Sequence, residues 1–175
     1  FVIFARTSED RVKGISAFVV EGSWDGVSVG KKERKLGLRG SPTTEIVLDN
    51  VKVPADCLLD TEGNGFTIAL DTLDGGRLGI ASQALGIARA AIDMIGEHIA
   101  SQQDKRGRPS ASQPIQWEFA DLASDLDAYR FLTWRAATLR DRGIRCSTEA
   151  AMAKSCASRL ANRAARSAVS LLGLA

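Results

Sequence analysis

Cysteine is scarce and badly placed for pairing. Cys57, Cys146 and Cys156 are odd in number, far apart and outside any Cys-x-x-Cys spacing, which argues against a disulfide framework or a zinc site and fits a reducing compartment. Histidine is scarcer still: His98 is the only one, with no cysteine nucleophile or acidic partner near it in sequence, so it reads as a structural or surface residue. Excess charge is lacking too. Lys and Arg number 23 against 21 Asp and Glu, so no domain-wide field draws the chain to nucleic acid or an anionic membrane. No uninterrupted apolar run reaches the roughly 18 residues that span a bilayer, because Gly, Ser and charged residues break each candidate; a soluble protein without a membrane span is expected. Nucleophile motifs, Walker loops, Rossmann fingerprints and metal-ligand spacings are absent as well. The first residues, FVIFART, resemble a strand already under way, and AVSLLGLA stops without a helix cap. The chain therefore reads as a piece of a longer protein.

What is present divides in two. Up to about residue 60 the pattern is one of strands: Phe1 to Ala5, Ile15 to Val20 after the polar turn Thr7 to Gly14, Val27 with Val29, Thr43 to Leu48, and Val51-Lys52-Val53 ended by Pro54. Strands at this spacing without intervening helices indicate part of an antiparallel sandwich or barrel. The glycine-rich basic stretch Gly30 to Ser41 reads as a solvated loop rather than an anion site. After the turn cluster Thr61 to Gly65, with Asn64 as a helix cap, the pattern becomes helical. Leu78, Ala81, Leu85, Ala88, Ile92, Ile95 and Ile99 step by three and four residues on one stripe. Ahead of them Asp74-Gly75-Gly76-Arg77 reads as a charged bend, where the glycine pair weakens the helix. A polar loop from Gln102 to Pro114 precedes a second helix with Ile115, Phe119, Leu122, Leu126 and Tyr129 inward, stopped near Arg140, Arg142 and Gly143. A third starts after Ser147 or Thr148, with Ala153, Cys156, Leu160, Ala164 and Leu171 inward. The fold class is α+β: a partial antiparallel β-sandwich or barrel followed by a partial up-down antiparallel helical bundle.

Charged clusters read as faces rather than catalytic groups. Glu118, Asp121, Asp125 and Asp127 lie off the apolar stripe of the second helix and read as a solvated face, while Arg159, Arg163 and Arg166 line one face of the third at spacings of four and three and read as a solvated or subunit-facing stripe.

GISAFVVE (Gly14 to Glu21), VGKKERKLGLRGSPTTEIVLDNVKVP (Val29 to Pro54), GNGFTIALDTLDGGRLGIASQALGIARAAID (Gly63 to Asp93) and EAAMAKSCAS (Glu149 to Ser158) together resemble the acyl-CoA dehydrogenases, most of all the short-chain, butyryl-type branch. The resemblance implies that residues 1–62 are the second half of the family's middle β domain and 63–175 the first three helices of its C-terminal bundle. It implies an oxidoreductase of fatty acid β-oxidation that converts an acyl-CoA to the trans-2-enoyl-CoA, with a glutamate taking the α-proton and FAD the β-hydride. It also implies a homotetramer, an electron-transferring flavoprotein as acceptor, and a bacterial cytoplasm or mitochondrial matrix. By the same resemblance Asp74, Gly75, Gly76 and Arg77 contact the CoA portion of the substrate, while Gln113, Leu171, Leu172 and Gly173 contact FAD. No catalytic residue is assigned: Gly76 occupies the position of the isovaleryl-type base, and the alternative position is expected beyond residue 175, so the chain alone is expected to be inactive. Gln103 and Arg106 stand where the family pattern Arg-x-x-Phe-Gly has its arginine and aromatic, and Ser170 and Leu174 replace a glutamine and a glycine of the pattern Gln-x-Leu-Gly-Gly. These departures lie on one cofactor edge and supply the alternative, a non-catalytic homologue that keeps the CoA site as a binding or scaffold subunit.

Overall fold

The structure, a computed structural model, describes residues 1–107 and 111–173. Two compact units follow along the chain, Phe1–Asp71 and Thr72–Ala175.

The first unit holds two small antiparallel sheets. In one, β1 (Val2–Arg6), β2 (Ile15–Val19) and β5 (Leu58–Leu59) pair in the order β1-β2-β5; in the other, β3 (Val27–Lys32) pairs with β4 (Thr44–Leu48). The β1–β2 register runs from Val2 opposite Val19 to Arg6 opposite Ile15, so the polar stretch between them closes a hairpin. The Asp10 carboxylate fixes that turn by accepting from the backbone N–H groups of Val12 (2.8 Å) and Lys13 (2.6 Å). Ser16 is fully buried, yet its hydroxyl meets that of Thr7 at 2.8 Å and accepts from the Gly63 N–H at 2.9 Å. Gly65 then lies so close to the Ser16 backbone that a Cβ there would come within 2.6 Å of it. Val51 to Val53, expected as a strand, is not one; Leu58–Leu59, past the Ala55–Cys57 3-10 turn, completes the sheet against β2 instead. Two residues are too short a run for alternation to reveal. The basic segment after β3 is a loop in which Leu36 is fully exposed, as a solvated loop requires.

Three long helices follow: α1 (Gly65–Ser101), α2 (Gln113–Asp141) and α3 (Ser147–Leu172). Contrary to the expected bend, α1 runs unbroken for 37 residues through Asp74-Gly75-Gly76-Arg77. Two interior glycines cost about 2 kcal/mol relative to alanine, which tertiary packing on the rest of the helix outweighs. Ala81, Leu85, Ala88, Ile92 and Ile95 are buried, with Ile99 packed beside them, and they share one core with Leu122, Leu126, Ala153, Leu160 and Ala164 of the other helices. Each large side chain so buried contributes roughly 1.5–3 kcal/mol. The unbroken α1 also contains an 18-residue window of mean hydropathy 1.3, apolar and long enough by composition to cross a bilayer, with 44% of that window buried. Glycine, serine and single charged residues interrupt an apolar run in the sequence without interrupting a helix. The inward stripe packs as a core helix does.

One member of the arginine face reaches the acidic face, while Arg159 bonds Ser155 and Asp127 bonds Arg130 on their own helices. Arg163 of α3 binds Asp125 at 3.0 Å and reaches Asp121 at 3.8 Å, Ser167 donates to Glu118, and Arg135 of α2 meets Glu149 at 3.3 Å. Partners run in opposite order along the two helices, so α2 and α3 are antiparallel neighbours. Arg159, Arg163, Arg166, Asp121 and Asp127 stay exposed, as solvated faces require; the ion pairs of Arg163 are added to that exposure and contribute only about 0.2–1 kcal/mol each. Gly143, at φ 69°, ends the turn after α2, where its N–H reaches the Arg140 carbonyl.

Candidate functional site

The residues singled out at 74–77 occupy nearly one turn of α1. Asp74 and Arg77, three positions apart, fall on one helix face, and Arg77 Nη1 donates to Asp74 Oδ1. The second carboxylate oxygen, Oδ2, accepts from the hydroxyl of Ser147, the first residue of α3, 73 positions along the chain. Asp74 is thereby enclosed, its side chain 16% exposed, while that of Arg77 is 38% exposed. The Ser147 hydrogen bond is the main cause holding the Asp74 carboxyl below its ordinary value of 3.8; Arg77 and the charge of Arg140 act the same way, and burial opposes them. The N terminus of α3, whose N-cap Cys146 gives no side-chain cap, adds a positive partial charge beside this anion.

The glycine pair divides in function. A Cβ at Gly75 would stand 3.1–3.3 Å from three atoms of the Arg140 guanidinium, whereas one at Gly76 would meet nothing within 4 Å. Gly75 lets Arg140, in the last turn of α2, lie against the α1 backbone. Gly76 keeps an exposed stretch of helix surface bare. Three helices thus converge on residues 74–77, and the sequence reading missed two contributors, Arg140 and Ser147. Arg140 stood there as a helix terminator and Ser147 as a helix start; nothing local marks either as a neighbour of Asp74.

The second group of candidates is not gathered with the first. Gln113 is exposed at the first position of α2, preceding Pro114. Leu171, expected inward on the third helix, and Leu172 are the last residues of α3 and pack partly buried against the core. Gly173 caps α3 in the left-handed conformation, φ 66°, where lack of a Cβ removes the steric penalty. Gln103 and Ser170 are exposed; Leu174 and Pro109 lie outside the described residues. His98, half-buried on α1, sits 3.4 Å from the Gln102 amide.

Comparison with known proteins identifies the family of the chain. The family model for the acyl-CoA dehydrogenase C-terminal domain matches residues 63–175. An acyl-CoA dehydrogenase of Bacillus subtilis is 49% identical over 175 residues, covering 99% of this chain and 46% of that protein. The solved structure of butyryl-CoA dehydrogenase from Megasphaera elsdenii superposes with a TM-score of 0.90 at 41% identity, over 98% of this chain and 45% of that one. A solved FAD complex of PigA gives a TM-score of 0.90 at 25% identity, over 99% of this chain and 45% of that one. The chain therefore spans a little under half the length of the relatives it matches.

Proposed function

The chain belongs to the acyl-CoA dehydrogenase family, and from that premise we propose that it is part of a FAD-dependent oxidoreductase of the short-chain, butyryl type that oxidises an acyl-CoA to the trans-2-enoyl-CoA. The observation that carries the proposal is the Asp74–Arg77 turn, braced by α2 and α3, within a chain that superposes along 98% of its length on a butyryl-CoA dehydrogenase. We assign residues 1–62 to the second half of the middle β domain and 63–175 to the first helices of the C-terminal bundle; the family match begins at residue 63.

Asp74, Gly75, Gly76 and Arg77 are the substrate contacts in this reading. Arg77 spends one N–H on Asp74 and, partly exposed, has further donors for phosphate or carbonyl oxygens of CoA. Gly76 lets the ligand lie against the helix without meeting a side chain. Asp74 holds the arginine's orientation. No base is assigned within the chain: the carboxylate that takes the α-proton belongs to the remainder of the protein, in agreement with the glycine at position 76.

The residues proposed toward FAD fit one edge of it in part. Gln113 offers an exposed side-chain amide, and Gly173 an uncovered stretch of backbone with no atom within 4 Å of its Cβ position. Leu171 and Leu172, partly buried against the core, would contribute chiefly main-chain groups. When bound, FAD supplies the hydride acceptor for the oxidation. The exposed Gln103, where the family pattern has an arginine, favours the second reading of a non-catalytic CoA-binding or scaffold homologue. A homotetramer, an electron-transferring flavoprotein as acceptor, and a bacterial cytoplasm or mitochondrial matrix complete the proposal.

The test is the full-length protein, purified and supplied with FAD. A flavin absorbance band that bleaches when butyryl-CoA is added supports the enzyme. Retention of CoA binding without a flavin band supports the scaffold reading and sinks the enzyme.

A further inference from the structure

Arg77 has a long side chain that carries about 2 kcal/mol of rotamer entropy, and an ion pair three residues away on the same helix is too weak by itself to hold it. What fixes the pair comes from elsewhere in the chain. Ser147 Oγ donates to the Asp74 oxygen that Arg77 does not use, and the backbone of Ser147 is anchored as the first residue of α3. On the adjoining position the Arg140 guanidinium lies where a Gly75 side chain would be, and its charge acts on Asp74. Asp74 is thus pinned at both oxygens and faces positive partners on α1, on the last turn of α2 and at the N terminus of α3. A ligand-binding arginine held this way loses little further freedom on binding, which is how a supporting shell improves affinity.

We propose that Ser147 and Arg140 are positioning residues for acyl-CoA recognition, acting through Asp74 on Arg77. This rests on the reading of Asp74–Arg77 as the substrate contact. The consequence is that the last turn of α2 and the first residue of α3, which carry Arg140 and Ser147, control KM while standing outside the contact itself.

The experiment uses the full-length, FAD-loaded protein, with steady-state kinetics on butyryl-CoA and calorimetric titration with free CoA. Arg77→Ala comes first: unchanged CoA affinity would overturn the substrate reading itself. Given a weakened Arg77→Ala, Ser147→Ala is expected to raise KM and the CoA Kd by about 5–20-fold, from loss of a hydrogen bond to a charged group, with kcat within about twofold. Ser147→Thr, which keeps the hydroxyl, restores both to within about threefold. Glu149→Gln removes the Arg135–Glu149 bridge at the same end of α3 without touching Asp74, and leaves KM unchanged. Arg140→Gln raises KM by about threefold and keeps the test open if Ser147→Ala does not fold. An unchanged CoA Kd in Ser147→Ala or Arg140→Gln, or an equal rise in Glu149→Gln, overturns the positioning role while leaving the substrate reading intact.

Discussion

Replacing each member of the glycine pair in α1 by alanine separates helix stability from ligand approach. In a helix interior alanine is favoured over glycine by about 0.8–1.0 kcal/mol. At Gly76 nothing opposes that gain, since the position is exposed and no heavy atom lies within 4 Å of the new Cβ; Gly76→Ala should stabilise by about 0.8 kcal/mol. At Gly75 the new methyl meets the Arg140 guanidinium at 3.1–3.3 Å. The far end of a flexible side chain can move a few tenths of an ångström, but doing so gives up an electrostatic contact of about 0.2–1 kcal/mol. Gly75→Ala should therefore be close to neutral. Binding reverses the order of benefit: in the proposed substrate contact a methyl at 76 would stand where the CoA portion approaches, so Gly76→Ala should weaken CoA by about tenfold, close to 1.4 kcal/mol. The assays are the urea midpoint of the full-length protein at unchanged m and the calorimetric Kd for CoA. If Gly76→Ala lowered the midpoint, its side of the helix would be covered, and the steric reasoning would fail. A raised midpoint with unchanged Kd would mean that the bare surface is not a ligand surface.

Three further outcomes follow from the same geometry. Leu122 is fully buried in the helical core, so Leu122→Ala should cost about 2–5 kcal/mol, read as a fall in the urea midpoint; a loss below 1 kcal/mol would mean that the core collapses around the gap. Because the Asp74 carboxyl is held below 3.8 when folded, its stabilisation is complete above the unfolded value and disappears as pH falls through the folded one. Wild-type and Asp74→Asn stabilities should therefore converge under acid and diverge toward neutrality, in denaturant titrations across that range. The Tyr129 phenol is pushed above its ordinary 10.0, first by burial and then by the Asp125 charge, so its contribution is present below that value and lost as pH rises past it; Tyr129→Phe should flatten the alkaline fall in stability, and an unchanged slope would place the loss elsewhere.

Local pattern carried much of the fold. The stripe from Leu78 to Ile99 was legible because each step of three or four residues repeats one physical demand, burial of the same helix face. The continuity of α1 was not legible, because Gly75 and Gly76 carry a local penalty that only long-range packing offsets. Likewise, the acidic face of α2 and the arginine face of α3 look solvated one at a time. The contacts between the two helices exist only after they are laid antiparallel, with Glu118 beside Ser167 and Arg163 beside Asp125. At the candidate site Asp74 and Arg77 were visible as a motif, since the resemblance concerns contiguous residues. Ser147 was invisible for the opposite reason: its hydroxyl acts 73 positions away, and a serine at a helix start already has an ordinary local explanation.

That serine also ties the proposed substrate contact to the proposed cofactor edge through one element. α3 has Ser147 at its first position and Leu171, Leu172 and the cap Gly173 at its last, and 26 residues at 1.5 Å each make a rod about 39 Å long. Its buried face is almost wholly alanine: Ala150, Ala153, Ala157, Ala161, Ala164 and Ala168, with Leu160 the large exception. Alanine loses no rotamer freedom and has the highest helix propensity, so this face gives a stiff helix that packs closely on its neighbours. One continuous helix from Ser147 to the Gly173 cap thus puts the backbone proposed to lie beside FAD in the same frame as the proposed partner of Asp74.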